Sequence, residues 1–137
     1  MWRQIFFGSV VLALCTTLHI GVLSLSIDWL QTLRTDEFPY TTGVLAIAFV
    51  CVLLGHTAQV WIWASSFVAT GAVQNLEDAA YFALVTTTTL GYGDITLPRP
   101  HRLFGAMAAV SGLLTFGLST AFLVGIVTHV FAPNIIG

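Results

Sequence analysis

Four consecutive threonines run into Leu90-Gly91-Tyr92-Gly93-Asp94, and this stretch, Thr86 to Asp94, is where residue types and spacing propose chemistry. Two glycines flanking a tyrosine free the backbone for conformations closed to other residues, so successive carbonyl oxygens can point the same way. Repeated around an axis, such a row of carbonyls replaces the water shell of a dehydrated cation. The Thr89 hydroxyl would add a further ring of oxygens below it. No nucleotide loop, metal centre or catalytic constellation accompanies the segment.

The elements that must position this segment belong in a bilayer. Of 137 residues, 57% are apolar and 7% charged, against about 25% charged in a soluble domain. So few charges cannot solvate a globule of this size. In a bilayer, non-helical backbone is tolerated only where protein buries it or it lines a watery path. Ile5 to Ile27 is 23 residues without a formal charge, flanked by Trp2 and Trp29, long enough to span. Its apolar core is too long for a cleaved signal, and no small-residue cleavage site closes it. A polar stretch follows, Asp28 to Gly43, in which Pro39 marks a helix stop or turn. A second span is expected over about 44–64, ending in Trp61 and Trp63 as interface anchors. Ser65 to Leu76 reads as a loop. Asn75 then caps a helix with Glu77 and Asp78 in its first turn, where the macrodipole favours acids. That helix, about 77–88, is too short to cross and reads as re-entrant, its negative end aimed at the carbonyl row. The last span, about 103–132, contains no Asp, Glu, Lys or Arg and is long enough to tilt. Pro133 ends it.

Other features argue against other chemistries. Four Lys+Arg against six Asp+Glu give a net charge of -2, with no basic patch for nucleic acid. Cys15 and Cys51 lie in different apolar stretches and read as packing residues rather than a disulfide. His56 and Gln59 share one face of the second span and read as interhelical hydrogen-bonding residues. Ser111, Thr115, Ser119, Thr120 and Thr128 mark a face of the last span that is not all lipid. No arginine recurs at every third position, so no charged voltage sensor is expected. With four residues after Pro133, no regulatory domain is expected either.

Thr-x-Gly-Tyr-Gly-Asp between a capped half-helix and a glycine-bearing apolar helix resembles the potassium-channel selectivity filter. The run Val110 to Ala121 resembles the inner helix of the bacterial proton-gated potassium channel almost position for position. The resemblance covers about residues 44–131. It implies an all-α membrane protein of three transmembrane helices, with a re-entrant pore helix and filter loop between the second and third. The pore domain is then 44–137, and residues 1–43 form an extra N-terminal span and polar loop. Implied potassium ligands are the backbone carbonyls of Thr89, Leu90, Gly91, Tyr92 and Gly93, with the Thr89 hydroxyl. Asp94, Tyr81, Phe82 and Thr88 fall at filter-supporting positions. Gly112 matches the hinge glycine; Leu113, Phe116, Thr120, Val124 and Thr128 match positions facing cavity and gate. Three departures stand out. Leu90 replaces the usual valine. Val85 stands where the proton-gated channel has a glutamate paired to the filter aspartate. The third is the extra span.

The function implied is passive, potassium-selective conduction through a homotetramer in the cell membrane, with potassium ions in the filter and no enzymatic activity. The membrane lipids are its other expected partners, with no nucleic acid and no small-molecule substrate. The alternatives are an ion-translocating subunit of a potassium transporter or a weakly selective cation channel. The resemblance puts the N-terminus and filter mouth outside and the Asp28–Gly43 loop inside. Charge counting prefers the inverse, since Arg3, Arg99 and Arg102 would lie outside and only Arg34 inside. His129 reads as an interfacial residue, with a pH-sensitive ring at the inner mouth as the alternative. Gly105 and Gly125 read as helix-packing glycines.

Overall fold

A computed structural model describes residues 2–30 and 38–131. Among them lie four α-helices and one 3₁₀ turn, with no strand: α1 (Trp2–Leu30), α2 (Phe38–Ala69), α3 (Leu76–Thr87), the turn Arg99–His101, and α4 (Arg102–Phe131). Three of them are long and apolar enough to cross a membrane, over Trp2–Leu30, Thr42–Ala69 and Arg99–His129. The 12 residues of α3 are not, since about 20 are needed. Arg34, Asp36, Glu37 and Pro133 lie outside the described residues.

The second helix is longer at both ends than the 44–64 expected. Pro39 does not stop it. It is the second residue of α2, where the missing N–H has no helical acceptor to lose. At the other end, polar residues that read as loop are absorbed by bonds to the preceding turn. Ser66 Oγ donates to the Ile62 carbonyl at 2.7 Å and Thr70 Oγ1 to the Ser66 carbonyl at 2.8 Å. The helix ends where the N–H groups of Ala72 and Gly71 return to the carbonyls of Phe67 and Val68. This paired closure needs a left-handed residue, and Gly71 takes it at φ +68°. With α2 extended to Ala69, Trp63 lies inside the bundle instead of at an interface. It is fully buried, against Phe67 and Phe104, with ring centroids 5.7 and 5.3 Å away. Trp61 is half exposed.

Helix α1 packs against both α2 and α4. Its buried residues, Gly8, Val11, Cys15, His19, Leu23, Ser26 and Leu30, recur every three or four positions in one straight seam. Small and polar residues fill much of it, as expected where lipid gives helices no hydrophobic reason to associate and close approach and hydrogen bonds must serve. Gly8 admits the Met107 thioether, and Gly55 of α2 admits the His19 ring. Cys15 is buried, Cys51 half-buried, and both are free thiols. Two apolar clusters result. One gathers Trp63, Phe67 and Phe104 with Ala79 and Ala83 of α3. The other gathers Leu23, Val44, Ala48, Val52 and Phe122. Between them the buried side chains are polar: His19, Gln59, Ser111, Thr115 and Ser119.

Candidate functional site

The site is built on the two ends of α3. Asn75 caps its start, accepting the Asp78 N–H at 2.8 Å, with Glu77 and Asp78 in the first turn. At the other end, the N–H of Leu90 returns to the Val85 carbonyl and that of Thr89 to the Thr86 carbonyl, both at 3.0 Å. This is the closure that ends α2, but its left-handed position holds Thr89, at φ +60°. A β-branched residue there is a genuine outlier and costs on the order of 1–3 kcal/mol. The positive values then alternate: Thr89 +60°, Gly91 +56°, Gly93 +81°, with Leu90 and Tyr92 on the ordinary side. Backbone that alternates hand in this way sets successive peptide planes in the same sense, so carbonyls gather on one side and N–H groups on the other.

The threonines divide by role. Thr87 and Thr88 hydroxyls bond back to the Ala83 and Leu84 carbonyls, both at 2.7 Å. The run from Thr88 to Asp94 is exposed throughout, including Leu90 at 56% and Tyr92 at 68%.

Asp94 finds a partner where Val85 offers none. The Tyr81 phenol donates to Asp94 Oδ2 at 2.6 Å. This bond holds the Asp94 carboxyl below its ordinary 3.8, and the carboxylate holds the Tyr81 phenol above 10.0. Phe82 turns the other way, edge-on to Phe67 at 5.1 Å. It also lines a cleft of about 330 Å³ with Thr86, Ile95 and Leu97. Of the two aromatic residues, only Tyr81 reaches the segment's end by a hydrogen bond.

Gly112 sits where α4 crosses the end of α3. A Cβ there would overlap the Thr87 carbonyl, so backbone meets backbone directly. Gly105 also packs closely, facing Leu97 and Phe82, whereas none of the described residues comes within 4 Å of a Cβ on Gly125. Below this crossing Leu113, Phe116, Thr120, Val124 and Thr128 are all exposed along α4. Ser111, Thr115 and Ser119, on the opposite side, are buried. The polar residues of α4 thus serve two faces. His129 is exposed in the last turn.

The expected pairing of His56 and Gln59 with another helix is present. Gln59 donates to Ser111 Oγ at 2.9 Å and accepts from Thr115 Oγ1 at 2.7 Å. His56 Nε2 lies 3.1 Å from Ser119 Oγ. Sequence reasoning missed His19, whose Nε2 is 2.8 Å from the same oxygen.

A family model described as "Ion channel" matches residues 39–129, well over half the chain. The chain belongs to the ion channel family. It is 27% identical over 117 residues to a protein of Methanocaldococcus jannaschii named hyperpolarization-activated voltage-gated potassium channel, a match covering 82% of this chain and 53% of that one. It is 26% identical over 140 residues to the Escherichia coli protein named voltage-gated potassium channel Kch, covering 93% of this chain and 32% of that one. The chain therefore spans about half and about a third of these relatives. No solved structure matches it. As a member of this family with three bilayer-length helices, it is a membrane protein.

Proposed function

We propose that this chain forms a potassium-selective pore, four copies arranged around one axis, conducting passively across the cell membrane. The observation that carries the reading is the alternation of φ through Thr89-Leu90-Gly91-Tyr92-Gly93. Alternating hand supports a row of carbonyls turned to one side, and those of the five residues, with the Thr89 hydroxyl, take the place of a potassium ion's hydration shell. The names of both relatives agree with this cation. Assembly follows from exposure. Leu90, Tyr92 and the irregular backbone between them lie bare in one chain, and bare irregular backbone is not tolerated against lipid. Further copies cover it, and they place the exposed stripe Leu113, Phe116, Thr120, Val124, Thr128 around the cavity below. Gly112 supports the junction of filter and stripe by admitting the end of α3. The family match begins at residue 39, which supports a pore domain starting with α2. Voltage sensing is not carried over from the relatives. Helix α1 has one basic residue, Arg3, in its first turn, and supplies no row of gating charges.

Purified protein in planar bilayers should pass discrete unitary potassium currents. A transporter subunit or a scaffold would show none. Gly91→Ala should abolish the current, because the added methyl group disfavours φ +56°. Full current in that variant would remove the filter from the account.

A further inference from the structure

At the level of the polar layer, one hydroxyl joins three helices. Ser119 Oγ of α4 donates to the Thr115 carbonyl at 2.9 Å. A hydroxyl has one hydrogen and two lone pairs, so with that hydrogen engaged it can only accept from the two imidazoles. His19 of α1 stands at 2.8 Å and His56 of α2 at 3.1 Å. With Nε2–H on both rings, every hydrogen-bonding position of Ser119 is filled. The rings lie 4.8 Å apart, and His19 is 1% exposed. The room for it is specific: a Cβ on Gly55 would come within 2.6 Å of His19 Nδ1. On its other side His56 stacks on Phe116 at 4.3 Å and 23°, a residue of the exposed α4 stripe. Gln59, with Ser111 and Thr115, continues the network one turn along.

We infer that His19 and His56 are positioning residues for conduction: they clamp Ser119, and α1 thereby holds the part of α4 that lies beyond Gly112. Ser119 is seven residues, two turns, past the crossing with α3, and Thr115 and Ser119 link that length of α4 to α1 and α2 through buried polar bonds. Any movement of α4 relative to α1 must break the bond from His19 and strand a buried hydrogen-bonding group. Because His56 also stacks on Phe116, the same movement disturbs the stripe assigned to the cavity. The clamp is a constraint on how α4 moves, exerted by a helix that contributes nothing to the filter.

The inference rests on the pore reading above, and single-channel recording keeps the two apart. In wild-type protein, unitary potassium currents establish the pore; their absence sinks that reading by itself. His19→Leu and Ser119→Ala should each change the ratio of open to closed time by about tenfold, in the same direction, with unitary conductance and selectivity unchanged. The double variant should show no more change than either single one, since both remove one interaction. His19→Gln, which keeps an N–H donor at the same reach, should retain wild-type gating. Gly55→Ala, which keeps every hydrogen-bonding group but displaces the imidazole, should gate like His19→Leu. These last two carry the test if His19→Leu fails to fold. Wild-type gating in Ser119→Ala and Gly55→Ala, or effects that simply add in the double variant, would overturn the clamp.

Discussion

Thr89 and Gly71 occupy the same position in the same helix-ending motif, and only one of them is suited to it. Gly71 takes φ +68° at no steric cost, while Thr89 is held at +60° against its branched Cβ. The strain persists because the bonds from Thr89 and Leu90 to Thr86 and Val85 over-determine the backbone. In the proposed pore, what the position gains is a hydroxyl at the foot of the carbonyl row. At the other end of that row, Tyr81 and Asp94 form a bond whose pH window follows from its two shifts. The Asp94 carboxyl is depressed below 3.8. Its stabilising contribution is present above that ordinary value and disappears as pH falls through the lower folded value. The Tyr81 phenol is raised above 10.0, so its contribution holds below 10.0 and is lost only at higher pH. The bond therefore persists across the whole neutral range. In Tyr81→Phe the Asp94 titration followed by carboxyl NMR should move up towards the ordinary carboxylate range. An unmoved titration would mean that Tyr81 does not hold Asp94.

At the scale of elements, the glycines of α4 and α1 separate into contacts and bystanders. Gly112→Ala forces α4 off the Thr87 carbonyl, an overpacking that costs about 1–3 kcal/mol. Gly21→Ala meets none of the described residues within 4 Å and should stabilise α1 by up to about 1 kcal/mol through helix propensity. Midpoints of thermal unfolding in detergent should fall for the first and hold or rise for the second; the same midpoint for both would contradict the crossing. The short helix α3 was legible in the sequence because its signals are local: Asn75, two first-turn acids, and a length too short to span. The ends of α2 were not. The meaning of Pro39 depends on which residue begins the helix, and Ser66 and Thr70 read as loop until their hydroxyls are seen bonded one turn back. Trp63 was misplaced for the same reason. His19 was invisible for a different one, since its partner Ser119 is a hundred positions away and a single histidine in an apolar run has no periodic signature. The left-handed backbone at Gly91 and Gly93 was legible because glycine spacing is a property of adjacent residues. What Tyr81 does for Asp94 needed the fold of the loop between them.

For the whole molecule, the order of the helices sets its placement in the bilayer. The order of the three spans puts the end of α2 and the start of α4 on the same side as the start of α1, where Arg3 and Gln4 line one cleft with Thr70 and His101. If the filter mouth faces outward, the segment between α1 and α2 faces the cytoplasm. Asp36→Cys, in a background with Cys15 and Cys51 replaced, should then resist an impermeant thiol reagent applied to intact cells. Labelling from outside would mean the inverted arrangement that the few arginines favour. In the proposed pore, an alternating backbone over five residues distinguishes potassium from sodium. The measurement that reaches it most directly is the reversal potential of single channels with potassium on one side and sodium on the other. A potassium-selective pore should give a reversal potential displaced far towards the potassium equilibrium potential, with no resolvable sodium current. A reversal near zero, with sodium carried as well as potassium, would contradict it.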